Sequence, residues 1–468
     1  MTHRLASVVV VSLAAATPAL AQPAGKPAPV DDMAAFEKDL DALFVHGGLT
    51  ADNAAARAGN ASPTVRRQIA EVQAAIADAE AAELDRVPQV SAKASYQRNS
   101  YIPPLVIAIP GVASIPIQFF QNSYDVQATA VVPLSDYLLR YPKLIDAAHL
   151  AEDTARASKG SAVVSAGEDA RLAYYEWVRA RLQVLIAQRQ LAQVRATLTQ
   201  EQAMFDVQRI SRADLLRIQS QEAEATQTLD QLKNLSTLRE EQLRLLIGAH
   251  EDEKLAVGED IRQDLAVPAI AGLDELMSRA ESKRLDFRVL DTGIRAKEKQ
   301  RDSEKASYYP RLSAFGTVED ADPNPRYFPQ TDKFKMTWLA GVQLTWTLND
   351  SLVAHTKVNR LTAETDELRA DRENLMHGTR VEVLAAQQSV QLAQSSLESS
   401  KKGLAAAEEG YRVRKELLAA DRATAVELVD AETDLTRARI AALNARVDLR
   451  VALSQLAHAT GDDTAGVH

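Results

Sequence analysis

The chain carries one pattern twice, at a spacing of about 215 to 220 residues, and any fold has to account for both copies. The first copy runs through Pro63, Pro88-Gln89-Val90-Ser91, Val132-Pro133-Leu134-Ser135-Asp136 and Ser211-Arg212-Ala213-Asp214-Leu215-Leu216. The second runs through Leu285, Pro310-Arg311-Leu312-Ser313, Trp346-Thr347-Leu348-Asn349-Asp350 and Thr424-Ala425-Val426-Glu427-Leu428-Val429. Landmarks recurring in a fixed order mark a duplicated unit of helix, strand, strand, long helix and helix.

The long helices are read from what is missing. From about Pro142 to Phe205, and again from about Leu352 to Leu418, no proline follows the start and glycines are isolated. Some 65 residues at 1.5 Å each reach roughly 100 Å, more than a globular domain requires. A returning helix of about 35 residues follows each. In the second, Leu428, Ala431, Leu435, Ala438, Ala442, Val447 and Val451 form an alanine-rich seam suited to close antiparallel packing.

Four segments alternate instead. Val90, Ala92, Ala94 and Tyr96 share one face of a strand over about 88–99, opposite Gln89, Ser91, Lys93, Ser95 and Gln97. Tyr124, Val126, Ala128, Ala130 and Val132 do the same over 122–134, opposite Asp125, Gln127, Thr129 and Val131. Leu312, Ala314, Gly316 and Val318 follow over 310–319, with Phe315 breaking the pattern; Trp338, Ala340, Val342, Leu344 and Trp346 follow over 336–348, against Leu339, Gly341, Gln343 and Thr345. Runs of about 9 to 11 residues suit tilted strands crossing a bilayer, with aromatic residues near their ends at the interfaces. A soluble sheet packed on a core is the alternative, disfavoured because the apolar face has no evident partner among the helices. An open sheet edge cannot stand in lipid, so four strands must close with those of other chains; two chains or three satisfy the arithmetic.

Arg4, the apolar run Leu5 to Ala16 and Ala19-Leu20-Ala21 before Gln22 read as a secretory leader over residues 1–21. Tyr101 to Phe120 is apolar but holds Pro103, Pro104, Pro110 and Pro116, so it is no membrane helix. It either lines an outer opening or contacts lipid. The chain has no cysteine, which removes disulfides, thiolate metal sites and a lipidated N-terminal cysteine. A formal net charge of -10 with no basic block argues against nucleic acid.

On these doubled motifs, above all the signatures at Ser211–Leu216 and Thr424–Val429 followed by Asp430-Ala431-Glu432, the chain resembles the TolC-type outer-membrane efflux factors over nearly all of the mature sequence. The resemblance implies a mainly α fold with a small membrane β-barrel. Long antiparallel helices and four strands per chain would build a trimeric α-barrel and a shared 12-stranded β-barrel, in the outer membrane of a Gram-negative cell with a periplasmic extension. It implies a segment 22–61, a first repeat 62–250, an equatorial connection 251–283, a second repeat 284–461 and a tail 462–468. It further implies no enzymatic activity and no cofactor. The partners would be two further copies, outer-membrane lipid, a periplasmic adaptor and an inner-membrane pump, with drugs, toxic compounds or metal ions as cargo. An exit duct for type I protein secretion and a non-transporting periplasmic coiled-coil scaffold stand as alternatives.

The polar strand residues Ser91, Lys93, Ser95, Gln127, Thr129, Gln343 and Thr345 are expected to line the pore mouth. Gln208, Ser211, Asp214, Asp421, Thr424 and Glu427 are expected at the adaptor-docking tip, Ser211 and Thr424 capping the returning helices and Asp214 and Glu427 completing capping boxes. Capping alone would also explain them. Asp421 could join an acidic ring at a narrow entrance. Two departures stand out from the resemblance: Gln208 and Asp421 replace a glycine common three residues before the tip Ser or Thr, and Tyr137-Leu138 and Ser351-Leu352 replace a Gly-Gly pair. The eight histidines show no ligand spacing, and Asp320-Ala321-Asp322-Pro323-Asn324 lacks the glycine and distal glutamate of a calcium loop. Neither a phosphate loop nor a nucleophile elbow is visible.

Overall fold

The computed structural model describes residues 32–107, 115–117, 119–263, 265, 269–420 and 422–464. The leader, Asp421, the middle of the Tyr101–Phe120 connection and the last four residues lie outside the described residues. The chain divides into two units. The first, up to Leu43, contains helix α1 (Asp32–Leu43), and the second, Phe44–His468, holds everything that follows.

The second unit opens with β1 (Phe44–Leu49) and α2 (Ala51–Ala61). The first repeat then runs α3 (Pro63–Leu84), β2 (Gln89–Arg98), a short ladder of β3 (Leu105–Ile107) with β4 (Ile115–Ile117), β5 (Asn122–Val132), α4 (Leu134–Leu139), α5 (Tyr141–Asp206) and α6 (Arg212–Ile247). After α7 (Leu273–Lys283) the second repeat runs α8 (Leu285–Glu304), β6 (Arg311–Asp322), β7 (Lys335–Thr345), α9 (Leu348–Ala419) and α10 (Ala425–Thr460). Helices α5 and α9 contain 66 and 72 residues, and α6 and α10 contain 36 each. Pro142 sits in the first turn of α5, where its missing N–H costs no helical bond.

Each long helix packs on its returning partner through alanines interleaved with larger aliphatic side chains. Ala187 and Leu191 meet Ala225 and Leu229 in the first pair; Val390, Ala393 and Leu397 meet Ala445, Leu449 and Ala452 in the second. Helix α10 also packs on α5, tied by Arg179 to Asp448 (2.6 Å) and Gln183 to Asn444 (3.4 Å). Its irregular apolar spacing follows from having two buried faces rather than one.

Where each returning helix ends, a left-handed glycine stops it against the start of its own repeat. Gly248 (φ 63) closes α6, and a Cβ there would stand 2.7 Å from Ala61 Cβ, just before α3. Gly461 (φ 72) closes α10, and a Cβ there would stand 2.9 Å from the backbone N of Arg284, just before α8. The Arg284 guanidinium bonds the Ala459 carbonyl (3.2 Å), Asp286 (2.8 Å) and Glu382 (2.7 Å), fastening three helices. At the same level β1 lies beside Val257, with Leu49 N donating to Ala256 O and Gly258 N to Leu49 O, both at 2.8 Å.

The end of α10 also carries a buried charge cluster. His458 Nδ1 lies 2.8 Å from Asp463 Oδ2, and Ser454 donates to Glu168 Oε2 at 2.7 Å, with Arg171 within 4.0 Å of both carboxylates. The hydrogen bond that His458 donates to Asp463 raises the His458 pKa, and burial raises that of Glu168. A histidine raised in the folded state contributes stability below its ordinary value that is lost as pH climbs through the folded value. A raised carboxyl acts in the same sense, since the unfolded chain releases that proton first. The thermal midpoint of the purified protein is therefore expected to be higher at pH 5.5 than at pH 8.5, and His458→Gln to flatten that slope; an unchanged slope would contradict it.

Candidate conduit surfaces and hairpin tips

The four long strands form one antiparallel sheet in the order β2-β5-β6-β7, leaving β2 and β7 as its edges. Their lengths are 10, 11, 12 and 11 residues. The register aligns the apolar positions across the sheet: Ala92, Ala128, Val318 and Trp338 form one row, and Val90, Ala130, Gly316 and Ala340 the next. This face is open within the chain, with Val90 and Trp338 each 75% and Val342 68% exposed. At the end away from the helices, Tyr96 and Tyr124 pack with ring centroids 5.1 Å apart and Phe334 lies 6.2 Å beyond. At the helix end Trp346 donates to Ser351 Oγ at 3.2 Å. An apolar band with aromatic residues at both ends is the outer surface of a membrane barrel.

The opposite face holds Ser91, Lys93, Ser95, Gln127, Thr129, Gln343 and Thr345, all placed there by the register. They are spread along the strands rather than gathered at one rim. Ser95 is level with Lys335 through Asp125 and Ala321, ten residues and about 34 Å from Thr345. Phe315 belongs to this face, its ring over Gly341, where a Cβ would stand 3.1 Å from Cζ. It therefore lies opposite the apolar band rather than interrupting it. Glu319 and Arg326 also belong to this face, and strand alternation alone did not single them out.

At the far end of the helices the two hairpins repeat one geometry. After α5, Arg209 N donates to Met204 O and Gln208 N to Phe205 O, at 2.9 and 2.8 Å, which is the glycine-type helix stop. After α9, Arg422 N donates to Leu417 O at 2.9 Å, the equivalent long bond. Gln208 adopts φ 58 in this stop. A side chain there costs about 1 kcal/mol relative to glycine. Gln208→Gly is accordingly expected to slow native-state amide exchange at the tip by about fivefold; equal exchange in both proteins would contradict the assignment.

Ser211 and Thr424 cap the returning helices, accepting from Asp214 N at 3.2 Å and Glu427 N at 3.3 Å. The carboxylates do not complete the expected boxes. Asp214 accepts from the Ser211 hydroxyl at 2.7 Å, and Glu427 pairs with Arg414 at 2.9 Å across its own hairpin. Arg217 and Asp430, 3.5 Å apart, join the two returning helices near the tips. Among the described residues no cluster could hold a metal ion, and no helix is long and apolar enough to cross a membrane.

Residues 276–462, which span the second repeat, match the outer membrane efflux protein family. That repeat carries the family's sequence, that of the TolC-type outer-membrane efflux factors. No curated protein matches its sequence. Three solved structures share the fold of this efflux protein. The CmeC outer membrane channel of Campylobacter jejuni has a TM-score of 0.71 at 13% identity, covering 95% of this chain and 90% of that one. The outer membrane protein VceC of Vibrio cholerae has a TM-score of 0.70 at 15% identity, over 88% of this chain and 96% of that one. The open state of the Neisseria gonorrhoeae MtrE outer membrane channel has a TM-score of 0.70 at 16% identity, over 88% of each chain. The structural likeness thus extends over both repeats. This efflux protein is an outer-membrane transport duct with a helical periplasmic extension, and it is not an enzyme.

Proposed function

We propose that three copies of this chain form the exit duct of a tripartite efflux system, carrying small molecules from a periplasmic adaptor and an inner-membrane pump across the outer membrane. The observation that carries this reading is the sheet: four strands with an open apolar face and two edges, continuous with helix pairs of about 100 Å. Pairing β7 of one copy with β2 of the next leaves no edge in lipid, and twelve strands leave an interior wide enough for solutes. Ser91, Lys93, Ser95, Gln127, Thr129, Gln343 and Thr345 would then line the lumen. Drugs, toxic compounds and metal ions are the small-molecule classes that such a duct would carry.

The adaptor would dock at the hairpin tips through Gln208, Ser211, Asp214, Thr424 and Glu427, with Asp421 beside them in sequence. Of these, Gln208, Ser211, Thr424 and Glu427 are exposed. Replacing Ser211 and Thr424 together by arginine is expected to abolish crosslinking to the adaptor while the purified particle keeps its mass. Undiminished crosslinking would rule out docking at the tips. Cells lacking the duct are expected to retain a small-molecule dye; normal dye release together with a missing secreted protein would assign the duct to secretion instead.

A further inference from the structure

The connection between β6 and β7, residues 323–334, lies against the polar face of the sheet. Asn324 is 2% exposed, and its Nδ2 donates to the Lys335 carbonyl at 2.7 Å and to Thr337 Oγ1 at 3.2 Å. Its Oδ1 accepts from Arg326 N at 2.9 Å, which fixes the turn. Arg326 then reaches both strands: Nη1 donates to Thr337 Oγ1 of β7 at 3.2 Å, and Nη2 stands 3.4 Å from Glu319 Oε2 of β6. Lys335 Nζ lies 4.4 Å from the centroid of the Tyr327 ring, a second tie between loop and strand. The register puts Glu319, Ala321, Lys335 and Thr337 on the face shared by Lys93 and Gln127. Ala321, paired with Lys335, is only 2% exposed. A connection that stood clear of the sheet would leave that position open.

The first hairpin behaves differently. Its connection carries a separate short ladder of β3 with β4, with Leu105 and Val106 exposed. Among the described residues, only those of the second connection are pinned to the polar face by both side-chain amide and guanidinium contacts.

We propose that residues 323–334 form a collar inside the outer mouth of the duct, and that Arg326 beside Glu319 makes this mouth selective for anions. The proposal rests on reading the polar face as the lumen. The sign follows from exposure: the Arg326 side chain is 36% exposed and that of Glu319 14%, so the guanidinium faces the passage and the carboxylate lies beneath it. In a narrow opening, fixed charges at the rim dominate which ions enter. In a trimer the collar presents three such arginines at one level.

The absence of cysteine allows a direct test. Full-length Arg326→Cys, purified in detergent and placed in planar bilayers, carries a single thiol per chain. Relative to wild type, its reversal potential in a salt gradient is expected to shift toward cations, and a bulky thiosulfonate is expected to lower its conductance by about half. Glu319→Gln leaves Arg326 in place and is expected to shift the reversal potential the opposite way, which keeps the proposal testable should the cysteine variant misassemble. Labelling of the thiol without change in conductance, or an unchanged reversal potential in Glu319→Gln, would overturn the collar while leaving the duct standing. A wild-type protein that inserts and carries no current would overturn the duct itself, and the collar with it.

Discussion

Arginine at Ala128 is expected to keep the protein out of the outer membrane. Ala128 lies midway along β5, between Ala92 on one side and Val318 on the other, in the most central row of the apolar face. A charge at that depth costs about 2 to 4 kcal/mol per chain, and a closed barrel would repeat the cost once per copy. The adjacent Thr129 points to the opposite face, where its Oγ1 lies 3.2 Å from Thr317 Oγ1. Thr129→Arg is thus expected to be tolerated, because it adds charge to the watered side. Fractionation of cells carrying either variant separates the two. Equal recovery of both in the outer membrane would mean that this face does not meet lipid, and the coiled-coil scaffold reading would gain.

The second large effect is expected at the level where β1 meets the inter-repeat connection. A Cβ on Gly258 would stand 2.2 Å from the Gly48 carbonyl oxygen, and one on Gly48 would stand 2.7 Å from the Ala256 oxygen. Both obstructions are backbone, so no side-chain rotation relieves them. Gly258→Ala has to part β1 from the connection and break the Leu49 bonds, at a cost of about 3 kcal/mol. Gly378 and Gly410, inside α9, have nothing within 4 Å of such a Cβ. Alanine there is expected to stabilise by about 0.5 to 1 kcal/mol, since glycine disfavours a helix interior. Thermal midpoints of the detergent-solubilised protein should therefore move in opposite directions for the two kinds of substitution. A midpoint unmoved by Gly258→Ala would show that β1 does not hold the inter-repeat connection.

Which features were legible in the sequence follows from the range of the forces involved. The long helices of both repeats were visible because proline and glycine act locally, and their absence over some 65 residues leaves few alternatives. The strands showed because alternation is a period-two property of neighbouring residues. Long-range pairings were hidden. Nothing near Gly48 announces Gly258, and nothing near Arg326 announces Glu319 or Thr337. Phe315 looked irregular only because the apolar band was read as the face that mattered, whereas its ring belongs over Gly341. The tip stood between these cases: Gln208 was conspicuous as a missing glycine, and its left-handed φ of 58 shows what the glycine would have served. Asp214 and Glu427 fit a capping pattern by spacing, yet Ser211 and Arg414 compete for their carboxylates.

The central claim is that one sheet of four strands closes only in company. Light scattering on particles extracted by mild detergent from isolated outer membranes, with the detergent contribution subtracted, counts the chains directly. The account predicts a particle with the protein mass of three chains. A particle of one chain, or a monomer recovered from the periplasm without detergent, would contradict it.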